Sequence, residues 1–123
     1  MIIKECSGYE LEKEKKNTSE DFFNRSSVTY IEDGEEKTFQ LLYLRYFDEL
    51  FSELTPFNQD PLFTAGGKSI HFKDVVALIC LLNKPEYKKR KRTYINTQEE
   101  LAACFEGFDF SKLPIIIENL GKN

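Results

Sequence analysis

The chain has 123 residues, 41% of them apolar with 11 Phe, and a formal net charge of −4. That is enough for a single domain, 1–123, to bury a core without metal or disulfide staples. Its longest unbroken apolar run, Val75 to Leu82, has eight residues, where a bilayer-spanning helix needs roughly 20.

The N-terminal stretch MIIKECSGYELEKEKK has two isoleucines followed by charges, without the apolar segment of a signal peptide, so a cytoplasmic protein is expected. Ile2 and Ile3 open a short strand, and residues 10–21 (ELEKEKKNTSED) have almost no apolar content and read as a mobile polar loop. From Ser27 the residues favour strand: Val28, Thr29, Tyr30 and Ile31, then Asp33-Gly34, a dipeptide suited to a type I′ turn, then Thr38 to Leu41. A β-hairpin is therefore expected, with strands near 27–32 and 36–41.

The period then changes. Leu44, Phe47, Leu50, Phe51 and Leu54 recur at three- and four-residue steps, so a helix is predicted over 43–54, ended by Thr55-Pro56. After the Pro- and Gly-containing connection 56–69, Phe72 to Asn83 (FKDVVALICLLN) is apolar nearly all round after Asp74, the pattern of a central buried helix, 72–83. A basic segment, YKKRKRTY, follows as a solvated loop. Thr97-Gln-Glu-Glu100 has capping-box spacing and starts a helix over 97–107 with Gly107 as its C-cap. A last helix, 111–120, carries Pro114 in its first turn. The expected class is thus α+β, mainly helical, with the hairpin packed on about four helices.

Catalytic sets are absent from the pattern. Ala65-Gly-Gly-Lys-Ser69 ends like a P-loop but has Leu62 where the first glycine is required, and reads as a turn. His71 and Asp74 have no nucleophile to serve, and read as a helix start. Cys6, Cys80 and Cys104 form no C-x-x-C pair, and with one histidine in the chain neither a disulfide framework nor a metal site is expected. Cys80 and Cys104 read as small buried hydrophobes. No enzyme activity and no cofactor are predicted.

Charge is uneven. Residues 1–62 hold 7 basic and 14 acidic side chains, whereas 63–123 hold 10 and 7, an asymmetry suited to self-association or to a protein partner of mixed charge. The densest charge, Lys88, Lys89, Arg90, Lys91 and Arg92, is the candidate partner-binding segment. With the helices at 97–120 it also suggests a helix-turn-helix, but Leu113-Pro-Ile-Ile-Ile117 offers almost nothing to base edges, so nucleic acid is disfavoured.

The order of these features is similar to that of the tail assembly chaperones of long-tailed phages infecting Gram-positive bacteria. The matching stretches are VTYIEDGEEKTFQLLYLRYFDEL, the buried DVVALICLL, the basic loop, NTQEEL and the closing FSKLPIIIENL, within residues 28–121. Residues 1–27 and the AGGKS segment have no counterpart. The resemblance implies a non-catalytic virion-assembly protein of the host cytoplasm that coats the tape-measure protein and recruits tail-tube subunits. The alternative is a small phage or mobile-element inhibitor or adaptor whose acidic first half mimics nucleic acid, and the third reading is the helix-turn-helix regulator.

Overall fold

The computed structural model describes residues 2–10, 23–44, 47, 63–65 and 67–118. In chain order these form β1 (Ile2–Glu10), β2 (Phe23–Glu32), β3 (Glu35–Leu44), β4 (Phe63–Ala65), β5 (Lys68–Ile70), α1 (Phe72–Asn83), a 3-10 turn (Pro85–Lys89), β6 (Arg92–Ile95), α2 (Gln98–Phe105), a second 3-10 turn (Phe110–Lys112) and α3 (Leu113–Glu118). The main sheet has the order β1-β2-β3-β6. Its first three strands are antiparallel, and β6 joins β3 in parallel. A two-stranded ribbon, β4-β5, precedes α1.

The expected hairpin is present and longer than predicted. Asp33 and Gly34 both have positive φ, 55° and 78°, the backbone of a type I′ turn, whose twist matches that of the flanking strands. Register pairs Val28 with Phe39 and Ser26 with Leu41. Along β2 the side chains alternate between two environments. Ser26, Val28 and Tyr30 are buried toward α1, while Ser27 and Thr29 are only half-buried on the opposite face. In β1 a bulge between Ile3 and Glu5 inserts Lys4. The extra residue resets the alternation, so that Ile3, paired with Tyr30, and Cys6, paired with Val28, point to the same face despite their odd spacing.

The mainly helical class is corrected by this sheet. The described residues hold three helices and a four-stranded mixed sheet. Helix 72–83 is found with the expected bounds; 97–107 becomes α2 over 98–105, and 111–120 becomes a 3-10 turn followed by α3 over 113–118. Of the helix predicted over 43–54, Tyr43 and Leu44 are strand, Phe47 is buried, and most of the remaining range lies outside the described residues, as do residues 11–21 of the predicted polar loop. Tyr43 and Leu44 are strand for a physical reason. Leu41, Leu42 and Tyr43 are all fully buried, so the second half of β3 is covered on both faces, and a continuous apolar run does not distinguish strand from helix. β6 was hidden by its charge: Arg92 and Tyr94 are exposed while Thr93 and Ile95 are buried, a strand alternation inside a segment read as a loop.

α1 is the middle layer. Val75 through Leu81 are all fully buried, with the sheet on one side and Leu101, Cys104, Phe105, Leu113 and Ile117 of the other helices completing the core. A helix apolar around its whole circumference needs such cover on both sides. β6 closes the sheet at a small polar cost. The Thr93 hydroxyl is buried and has no hydrogen-bond partner among the described residues. Thr93→Val keeps the β-branched shape and removes the orphaned oxygen, so we expect it to leave stability unchanged or raise it by up to about 1 kcal/mol, measured by urea unfolding.

Candidate functional site

The five cations of the candidate segment are split between two elements. Lys88 and Lys89 end the first 3-10 turn, Arg90 is its C-cap, and Arg92 begins β6. They do not form a free basic tail. The Lys88 ammonium meets the Glu32 carboxylate at 2.7 Å, the Gln40 backbone N–H donates to the Lys91 carbonyl at 2.9 Å, and the Arg92 guanidinium donates to the Gln40 side-chain oxygen at 3.2 Å through both Nε and Nη2. The Arg90 guanidinium carbon lies 5.3 Å from the Tyr87 ring centroid, within cation–π range, and Tyr87 itself rests on Phe39, ring centroids 6.0 Å apart. Lys89, Arg90, Lys91 and Arg92 are exposed. The result is a pinned cationic ridge along the sheet edge, beside the acidic hairpin tip of Glu32, Asp33, Glu35 and Glu36.

The ridge and the tip neutralise each other in part. Lys4 spans from β1 to Glu36 at 3.1 Å, and Lys88 takes Glu32. The hydrogen bond from Lys88, helped by the charges of Lys88 and Lys37, holds the Glu32 carboxyl below the usual carboxylate range. The native state therefore releases this proton more readily than the unfolded chain. The resulting stability is complete above the ordinary carboxylate pKa and is lost as pH falls through the lower native value. Unfolding by urea should show the Glu32→Gln variant weaker than the parent at about pH 7, with the difference closing at acid pH.

The His71–Asp74 pair has a structural use. The Asp74 carboxylate accepts the His71 backbone N–H at 2.9 Å and the Gly8 backbone N–H at 3.0 Å, so it fixes the first turn of α1 and ties β1 to it. One strand over, the Ser26 hydroxyl accepts the Ala77 N–H at 3.0 Å. Gly8 allows the contact. A Cβ there would sit 2.0 Å from the Lys73 carbonyl oxygen and 2.8 Å from the Asp74 nitrogen. Nothing in the residue pattern marks Ser26, whereas a lone glycine inside a strand, such as Gly8, is a known sign of close backbone approach.

Within the AGGKS segment, Ala65 pairs with Lys68 between β4 and β5, and Gly67 has φ 80°. Thr97 caps α2 by accepting the Glu100 N–H at 3.1 Å; in place of the reciprocal half of the box, its hydroxyl donates to the Glu100 carboxylate at 3.2 Å. Past α2, Gly107 has φ 76°, as a residue just beyond a helix end often does. Among the described residues no cluster of three or more His, Cys, Asp or Glu is placed to hold a metal ion, and no helix is long and apolar enough to cross a membrane.

One juxtaposition was not expected. Cys80 and Cys104, 24 positions apart, meet with their Sγ atoms 3.0 Å apart in the core, and both are free thiols. Spacing along a chain does not reveal such a pair. Its only trace in the sequence is a cysteine on the apolar face of each of two helices.

Comparison with protein-family models, with curated proteins and with solved structures finds no match.

Proposed function

We propose that this chain is a non-catalytic protein that works by binding another polypeptide, in the manner of a phage tail assembly chaperone. The observation that carries the proposal is the pinned ridge. Lys89, Arg90, Lys91 and Arg92 project from a segment fixed at one end by Lys88–Glu32 and at the other by pairing with β3. A cationic surface already held in place binds an acidic stretch of a helical partner without first being ordered. The order of elements adds support. A D-G hairpin, a buried helix, a basic segment, a capped helix and a short closing helix follow one another in the order of the resemblance, while β1, β4, β5 and β6 are additions to it. The helix that the resemblance puts directly after the hairpin has a range mostly outside the described residues.

The nucleic-acid mimic is less well supported, because Glu32 and Glu36 in the acidic tip are already engaged by Lys88 and Lys4. The helix-turn-helix reading is weakened too, since α3 has six residues and turns Leu113 and Ile117 into the core.

The test is co-expression of the full chain with a fragment of a tape-measure protein. The fragment should stay soluble with the chain and precipitate without it, and Lys89→Glu/Lys91→Glu should abolish the rescue. Equal precipitation in both cases, or retention of duplex DNA with an affinity that falls steeply as salt rises, overturns the proposal.

A further inference from the structure

The sulfur pair carries an inference independent of the partner reading. Cys80 lies in the second half of α1 and Cys104 in the last turn of α2. Their 3.0 Å separation is only about an ångström longer than a covalent S–S bond. The backbone around Cys104 is held without help from the sulfurs. The Asn83 side-chain amide donates to the Cys104 carbonyl at 3.1 Å and to the Glu106 carbonyl at 2.8 Å, clamping the end of α2 to the end of α1. A bond between the two sulfurs would therefore join helices whose relative placement is already set.

The pair is also chemically asymmetric. In the hydrogen bond between the two sulfurs the donor's thiol is pushed up and the acceptor's held down, and either sulfur can be the donor; burial pushes both up. Lys84 favours the thiolate at both positions; Glu86 opposes it at Cys80 and Glu100 at Cys104, and the Tyr87 phenol borders the site. The acceptor of that hydrogen bond is thus the attacking sulfur. The third cysteine is in a different environment. Burial, then Asp74 and Glu5, push the Cys6 thiol up to about 12, which keeps it protonated.

We propose that Cys80 and Cys104 form a redox-active dithiol that closes into an intramolecular disulfide, with a small-molecule disulfide as oxidant. The thiolate of the accepting cysteine attacks one sulfur of the oxidant, breaking its S–S bond and expelling one thiolate. The other cysteine, its proton lost to solvent, then attacks the protein sulfur of the mixed disulfide and expels the second. The two leaving thiolates take up the two protons, so one protein dithiol and one disulfide give one protein disulfide and two small thiols. Both sulfurs are buried, so the reaction proceeds through transient opening of the short helix α2 or during folding.

The experiment refolds the full chain from reducing denaturant into a buffer of reduced and oxidised glutathione, where both thiols are reachable as the bond forms. The expected product is lighter by two hydrogens and yields a proteolytic fragment joining Cys80 to Cys104. Cys6 remains open to alkylation after unfolding. The thermal midpoint rises by about 5–10 °C over the reduced form, and dithiothreitol reverses the change. Cys6→Ala should behave alike, and Cys104→Ala should stay at its reduced mass. Recovery of three alkylatable thiols, a lasting glutathione adduct, a bond that includes Cys6, or an oxidised form melting no higher than the reduced one overturns the proposal.

Discussion

Replacing Gly8 with alanine should cost about 3 kcal/mol of folding stability, at the upper end of what overpacking a close-packed site removes. The added methyl carbon would lie 2.0 Å from the Lys73 carbonyl oxygen and 2.2 Å from its carbon. Both atoms belong to helix backbone, so no side-chain rotation relieves the overlap. Either β1 or the start of α1 must move, and with it the Asp74 contact to the Gly8 amide. Against a total stability of about 5–15 kcal/mol for a domain of this kind, valine at the same position should prevent folding. Urea denaturation followed by circular dichroism measures the loss, and a midpoint within error of the parent would show that the strand does not approach the helix this closely.

Removing the Asp74 carboxylate should be nearly as damaging. Asp74→Ala takes the acceptor from two part-buried backbone donors, the amides of Gly8 and His71. Each hydrogen bond to a charged group contributes about 1.5–3 kcal/mol, so a loss of about 3 kcal/mol is expected after solvent recovers part of it. Asp74→Asn keeps one side-chain carbonyl oxygen and should fall between. The Gly8 and Asp74 changes act on one junction, so their combined cost should be smaller than the sum of the separate costs. A strictly additive pair would mean that the carboxylate supports α1 alone.

These two positions show how unevenly the chain discloses its structure. Features that depend on neighbouring residues were legible: the Asp33-Gly34 turn, the all-round apolar helix of Val75 to Leu81, and the Thr97 cap with Gly107 beyond it. Each expresses a local rule of backbone conformation or periodicity. Features that depend on distant partners were not. β1 pairs through eight of its nine residues, although only Ile2 and Ile3 read as strand, because its neighbour β2 supplies the edge it needs. Arg92 to Ile95 becomes a strand only because β3 offers an edge for it. Tyr43 and Leu44 read as the start of a helix because nothing in the apolar run Leu41 to Leu44 says that Leu41 to Tyr43 are covered on both faces.

The candidate site divides along the same line. The five cations are obvious in the sequence, but their pinning by Glu32 and Gln40 depends on register between elements more than 50 positions apart. Asp74 stands out in the sequence as a carboxylate near a histidine, whereas its hydrogen bond from Gly8, 66 positions away, depends on the fold. The sulfur pair required it as well.

The parallel union of β3 and β6 has a consequence for the order of assembly. β2 and β3 are joined by two residues and zip up locally, whereas β6 reaches β3 only after everything between residues 44 and 92 has been gathered in, a loop closure that delays such pairings. On the ribosome, the Gln40–Tyr43 edge of β3 emerges well before the strand that will occupy it, and until then it is a template for any passing chain. Nascent fragments ending before Arg92 should accordingly be the sticky ones, and completion of the short β6 strand is the moment at which the newborn protein stops being hazardous to its neighbours.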